Sequence, residues 1–305
     1  MTTQVLMLHR VLPDQPTAFG RPSCYRLRGT ALTPGELDRL LEAGSFLSLD
    51  EVVESLAAGR QPPSGRVLTF DDGYREWSEW VAERLDRQHV PATFFVCPAF
   101  LRREAAEAHP VDAFYWLLDH ARRSRFELRL PDGVFARGTL ETNEGKAELI
   151  TGELKRRVVR SPRDEVRELL RLLSESLHVE LPADLAHGLY PSEEELRALA
   201  SAGHRLGGHG MSHRHLPVMG AVEAAREIST SLAWVARLAG SRSAPFAYPD
   251  GAFDLETGRR VEQAGATCAL TCVSGAVTES ADLFRLPREF ITPWHPMVTA
   301  LVIRH

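Results

Sequence analysis

The chain has 305 residues, 44% of them hydrophobic and 25% charged, with a formal charge of −5. That length and balance fit a soluble globular protein of one large α/β domain or two ordinary ones. The mild negative charge excludes a general electrostatic affinity for nucleic acid, and no basic cluster or groove-reading helix supplies another route to it.

The opening apolar stretch, Val5 to Leu8, is too short for a signal-peptide core, and no basic segment precedes it. No run approaches the length of a membrane span. The expectation is therefore a cytoplasmic protein that could also act at the inner membrane face.

"QVLMLH" (4–9) reads as a short buried strand. "ELDRLLEAG" (36–44) and "SLDEVVESLAAG" (48–59) read as short helices, the second opened by a capping region at Ser48 and Asp50. "RVLTF" (66–70) follows as a strand, "YREWSEWVAERLDRQ" (74–88) as an amphipathic helix and "ATFFVCP" (92–98) as a strand. This β-α-β order predicts a parallel sheet or barrel.

From about Leu101 to Leu189 the texture changes. "AFYWLLDHARR" (113–123), "GKAELITGELKRRVV" (145–159) and "PRDEVRELLRLLSESL" (162–177) are charged, amphipathic and mostly helical. We read residues 1–305 as one domain and 101–189 as a helical insertion covering one side of it. The β-α rhythm then resumes: helix 192–203, the segment "HRLGGHGMSH" (204–213), helix 221–240, strand "PFAYP" (245–249), helix 255–265, strand "TCALTC" (267–272) and the closing "FRLPREFITPWH" (284–295). If "TCALTC" is a strand, Cys268 and Cys272 stand roughly 13 Å apart, too far for a disulfide or a shared metal. Buried thiols in a reducing compartment are the expectation.

Two segments carry chemistry. In "LTFDDGY" (68–74) the carboxylates Asp71 and Asp72 adjoin each other directly after an apolar run, a repulsive arrangement unless a cation or a reaction awaits them. An aspartate at the C-terminal end of a parallel strand projects into the region where α/β folds build their sites. In "GGHGMSHRHL" (207–216), His209 and His213 on a helical turn would share one face and could both reach a metal. The competing interpretation is a histidine-rich surface loop, since His204 and His215 lie close by. One Asp and two His form an open metal site with positions left for water and substrate, and the remaining Asp can serve as a base towards that water. Zn²⁺ suits such ligands, and other first-row divalent ions fit them too.

Taken together, "TFDDGY", "VPATFFV", "AGHRLGGHGMSH" and "FAYPDGAFD" resemble the polysaccharide deacetylase family (NodB homology, carbohydrate esterase family 4) over residues 4–100 and 189–291. The resemblance implies an α/β fold, a distorted or incomplete (β/α)7-type barrel, and metal-dependent removal of an N-acetyl group from an amino sugar. The substrate would be an N-acetylated saccharide or glycoside: a polysaccharide, a lipid-linked saccharide or a glycosylated metabolite. It implies Asp71 as general base, and Asp72, His209 and His213 as ligands of a divalent cation. Pro249 and Asp250 match the loop whose backbone N–H supports the oxyanion. "FAYP" (246–249) marks a subgroup in which the general acid is an N-terminal histidine, here His9 in "LMLHRV", with His305 as its rival. Arg288 in "RLPRE" resembles the arginine that orients the base in that subgroup, and Ala247 stands where the third motif usually has arginine.

Two further positions depart from the family pattern. Gly210 replaces a Ser or Thr after the first metal histidine and is expected to loosen the ligand loop. Asp250 replaces an aromatic, and its side chain is expected to cap the turn at Gly251. Trp294 and His295 are candidates for the sugar pocket or for a structural seal. Two alternatives share these motifs: a deacylase of another acyl group or of an O-ester, and a catalytically silent carbohydrate-binding homologue.

Overall fold

The computed structural model describes residues 2–101, 107–130 and 132–299. In chain order its strands are β1 (Thr3–Leu8), β2 (Arg10–Val11), β3 (Ala31–Leu32), β4 (Phe46–Leu47), β5 (Gly65–Phe70) and β6 (Ala92–Val96). There follow β7 (Arg125–Arg129), β8 (Phe135–Thr139), β9 (Arg205–Gly208), β10 (Phe246–Ala247), β11 (Ala269–Leu270) and β12 (Glu289–Phe290). One sheet runs in the order β11-β10-β9-β6-β5-β1-β12, every pair parallel, with β4 added beside β5. The sheet curls into the incomplete α/β barrel that the β-α-β rhythm predicts. Its two ends approach each other through one stretch of chain: Leu286 exchanges hydrogen bonds with Ala269 and Thr271, while Ile291 N–H donates to Met7 O.

The central strands are buried on both faces, as parallel strands covered by helices must be. All of β6 is buried, and Phe70 stacks on Phe94 at 5.2 Å between centroids. Helix starts are fixed locally. Thr33 with Glu36, Ser48 with Glu51, and Ser192 with Glu195 form reciprocal capping boxes. The partner of Ser48 is thus Glu51 rather than Asp50.

Strand β9 reads Arg-Leu-Gly-Gly because nothing larger fits. A Cβ on Gly207 would stand 2.4 Å from the Phe95 ring, and one on Gly208 would stand 3.0 Å from Ser231 Oγ of helix Ala221–Leu238. Gly207→Ala is therefore expected to lower unfolding stability by about 1–3 kcal/mol through overpacking, read from urea denaturation. An unchanged midpoint would contradict this tight packing.

Three expectations are corrected. Residues 74–88 are not one regular helix: Trp77–Val81 form a widened π-type turn before helix Ala82–Arg87. Long-range partners explain it. Glu76 pairs with buried Arg10 at 2.8 Å, Trp77 Nε1 donates to His9 O, and Trp80 Nε1 donates to Val11 O, so three residues face the segment 9–11. Gly152 divides 145–159 into helices Asn143–Thr151 and Glu153–Arg160. Between helix Pro110–Asp119 and these, β7 and β8 form an antiparallel hairpin that the helical reading missed. This region is tied to the N-terminal segment through Lys146, whose Nζ lies 2.6 Å from Asp119 Oδ1 and donates to Thr17 Oγ1 and Pro22 O. Among the described residues, no helix is long and apolar enough to cross a membrane.

Candidate active site

The C-terminal ends of the parallel strands converge on one place. Asp71 follows β5 immediately, with its N–H donating to Leu8 O, and His209 follows β9, with its N–H donating to Val96 O. Asp72 Oδ1 lies 3.4 Å from His209 Nε2 and 3.2 Å from His213 Nε2. One ligand atom from each of the three falls within 4.8 Å of the others.

His213 does not reach this place on a helical turn. The chain reverses through Gly210 (φ 71) and His213 itself adopts φ 53, which brings the two imidazole centroids to 4.8 Å. Asp72 also has a left-handed backbone, φ 83. Both are non-glycine residues in this sparsely populated region, as is Asp250 (φ 52) of the same cavity.

The cluster fits a divalent cation. Asp72 Oδ1 is buried and has no hydrogen-bond partner among the described residues. A carboxylate oxygen without a donor, 3.2–3.4 Å from two ring nitrogens, is costly unless a cation occupies the gap. His209 Nδ1 lies 2.8 Å from Ala247 O, which leaves Nε2 turned towards Asp72 as a lone-pair donor. Burial alone would lower His213, but the Asp72 carboxylate beside it prevails and lifts it to about 9. Burial would likewise raise Asp72, yet its contacts with the two histidines hold it well below the usual carboxylate range.

Asp71 is gripped rather than free. Arg288 Nη1 and Nη2 donate to its two oxygens at 2.7 Å each, while Arg288 Nε donates to Thr271 O at 2.8 Å. Both side chains are almost fully buried. Burial would push Asp71 up, and the Arg288 charge brings it below its ordinary value. Asp71 Oδ2 lies 4.0 Å from His209 Nε2. His9, one residue past β1, packs edge-on to Phe290, and its Nδ1 is buried without a partner among the described residues. Asp71, Asp72, His9, His209, His213 and Asp250 all line one cavity of about 1730 Å³.

Asp250 sits in the turn Pro249–Gly251 with φ 52. Its carboxylate does not cap that turn but bonds to His215 Nε2 at 2.6 Å. The backbone bonds that close the turn run from Gly251 to Tyr248 and from Ala252 to Pro249, and the Asp250 N–H takes no part in them. Gly210 also behaves differently from expectation. Glu227, on helix Ala221–Leu238, accepts from Met211 N–H at 2.8 Å, Ser212 N–H at 3.0 Å and Ser212 Oγ at 2.8 Å. That carboxylate pins the loop between His209 and His213 without a hydroxyl at 210, and φ 71 favours glycine there.

Other predicted positions lie elsewhere. Trp294 is 61% exposed, its indole near Gly29, and it does not line the cavity. His295 caps the turn Pro296–Thr299 through Nδ1 and Met297 N–H. His204 packs against Phe94. His305 falls outside the described residues. Cys268 is buried, but Cys272 is exposed, because β11 ends at Leu270 and the chain turns towards the cavity.

Sequence reasoning also missed a polar knot beside the cluster. Buried Asp112 accepts from Tyr25 OH at 2.7 Å, Tyr74 OH at 3.0 Å and Tyr190 OH, and His109 packs edge-on to His213 at 5.1 Å. Asp112 and His109 come from the 101–189 region, which has no recognisable motif; three buried tyrosines scattered along the chain gave no signal.

A family model described as polysaccharide deacetylase matches residues 58–269. Among solved structures, a deacetylase from Streptococcus pyogenes, PplD in complex with acetate, is 14% identical with a TM-score of 0.62, covering 100% of this chain and 99% of its own. IcaB from Ammonifex degensii is 17% identical with a TM-score of 0.58, covering 98% and 96%. The BpsB deacetylase domain from Bordetella bronchiseptica is 18% identical with a TM-score of 0.56, covering 95% and 96%. At these identities the structures share the fold. No curated protein matches.

Proposed function

Because the protein belongs to the polysaccharide deacetylase family, we propose that it hydrolyses the N-acetyl group of an amino sugar, releasing acetate and the free amine. The observation that carries this reading is the Asp72–His209–His213 cluster with the Arg288-held carboxylate of Asp71 beside it. We assign residues 1–305 to one domain carrying 101–189 as an insertion, and place it in the FAYP-type subgroup because Phe246–Pro249 and His9 match its marks.

Asp72, His209 and His213 would hold a divalent cation, Zn²⁺ before its neighbours, whose charge would acidify water and polarise the acyl carbonyl. Asp71 takes the proton of the attacking water on a carboxylate oxygen. Arg288 fixes the direction of both oxygens and keeps the group ionised beforehand. The new carbon–oxygen bond leaves negative charge on the former carbonyl oxygen, and the N–H of Asp250 donates to it. With the Asp250 carboxylate engaged by His215, the group nearest that oxygen is the amide dipole rather than a second anion. His9 delivers a proton to the sugar nitrogen as the carbon–nitrogen bond breaks, because an unprotonated amine is a poor leaving group.

The test is acetate release from N-acetylglucosamine oligomers, with metal content measured in parallel. Chelation is expected to abolish release and added Zn²⁺ to restore it. Asp71→Asn is expected to lower kcat by about 10²–10⁴ with the metal retained. Acetate release that ignores both the chelator and Asp71→Asn would overturn the reading.

A further inference from the structure

Against the aspartate–histidine cluster, the 101–189 region packs buried polar side chains that the deacetylation steps do not use. Asp112 is 3% exposed and accepts from Tyr25, Tyr74 and Tyr190 at once. A carboxylate accepts on both oxygens and so satisfies three phenols, which an amide of the same shape could not. Beyond the two histidines, one further hydrogen-bonding side chain reaches the Asp72 carboxylate among the described residues. Tyr74 OH lies 3.4 Å from Asp72 Oδ2 and 3.0 Å from Asp112 Oδ1. Asp72 Oδ1 is the oxygen that faces the histidines, so the hydroxyl stands at the other one.

Tyr74 has little freedom to turn away. Arg10, paired with Glu76, stands 4.3 Å over its ring, Tyr190 stacks on it at 6.1 Å between centroids, and Trp77 and Tyr25 meet it edge-on. A second arm runs to the other ligand. Tyr190 OH accepts from His109 N–H at 3.0 Å, and His109 Nδ1 accepts from Val111 N–H at 3.3 Å. The imidazole so fixed lies edge-on to His213 at 5.1 Å. The space these residues share with Cys97 and Phe100 is only about 20 Å³, room for about one water and no ligand. A purely structural tie would avoid setting a second carboxylate one hydroxyl away from Asp72, since the two repel.

We propose that Tyr74 is a positioning residue for Asp72, with Asp112 holding its hydroxyl in place. The single phenol hydrogen serves one carboxylate at a time, and Tyr25 and Tyr190 keep Asp112 satisfied while it serves Asp72. The hydroxyl turns Asp72 Oδ1 towards His209 and His213, and Asp112 adds negative charge behind the cation that the cluster would hold. The 101–189 region thus supplies support for the metal ligands as well as a wall. This rests on the reading of Asp72, His209 and His213 as a cation site.

Zn²⁺ affinity of the full-length, metal-free protein, read by competition with a chromophoric chelator, tests this apart from activity, with thermal melts alongside. Tyr74→Phe keeps the ring and loses only the hydroxyl, and it is expected to weaken Zn²⁺ binding by about 10–100-fold. Asp112→Asn is expected to weaken it too, and the double variant to bind little more weakly than the weaker-binding single variant. Thr142→Ala removes the N-cap of helix Asn143–Thr151 in the same region, so it should lower the melting temperature with Zn²⁺ affinity unchanged. Wild-type Zn²⁺ affinity in Tyr74→Phe overturns the proposal, and this variant decides the matter if Asp112→Asn folds poorly. Equal weakening by Thr142→Ala overturns it as well, because affinity would then follow stability alone. Acetate release by the wild type, with Zn²⁺ affinity indifferent to the Tyr74 hydroxyl, overturns the positioning role and leaves the deacetylase reading standing. The expected affinity losses without acetate release from the wild type overturn that reading and leave the positioning role standing.

Discussion

Asp72→Gly is expected to leave the protein folded, empty of metal and inactive. Glycine is the informative replacement because Asp72 has φ 83, where alanine would add backbone strain to the loss of the carboxylate. Removing the carboxylate takes away the oxygen that faces both imidazole nitrogens at 3.2 and 3.4 Å. Metal affinity should fall by more than the roughly 10–100-fold that follows loss of a group merely orienting a ligand. Acetate release should fall to background. Metal analysis, acetate assay and a thermal melt on one preparation decide it, and full metal occupancy in Asp72→Gly would remove the cluster from consideration as the site.

Arg288→Leu is expected to cost about 3–5 kcal/mol of unfolding free energy, because it leaves the Asp71 carboxylate buried and unpaired. Leucine fills part of the arginine's space, so the effect is chiefly electrostatic. Activity should fall together with stability, since both Asp71 oxygens lose their 2.7 Å donors. The double variant Asp71→Asn/Arg288→Leu separates the two roles: it should recover much of the stability, no charge being stranded, and none of the activity. If Arg288→Leu unfolds within about 1 kcal/mol of wild type, the pair is not the desolvated clamp described here.

The residues of the aspartate–histidine cluster were legible because their spacing is local. Asp71 and Asp72 are adjacent, His209 and His213 are four apart, and each pair directly follows a strand whose apolar run is plain in the sequence. The group that pins the loop between His209 and His213 was not. Glu227 is one of several charged residues on an amphipathic helix, and only packing against β9 brings it to Met211 and Ser212. The same holds for the Asp250–His215 bond, which joins positions 35 residues apart. Asp112 and its three tyrosines likewise meet only in the folded chain.

By itself, the sequence determined the parallel α/β rhythm, the strand ends that carry the carboxylates and histidines, and the helix caps. All of these depend on residues within a few positions of one another, where hydrophobic period and local hydrogen bonding suffice. The tertiary structure alone decided that His213 reaches Asp72 through left-handed backbone, that Glu227 pins the loop between His209 and His213, and that Arg28 and Lys155 face one cavity, whereas the clamp of Arg288 on Asp71, 217 residues apart, was implied by the family resemblance. Contacts of that kind are set by how the sheet curls and which side chains it buries, and no local pattern encodes them.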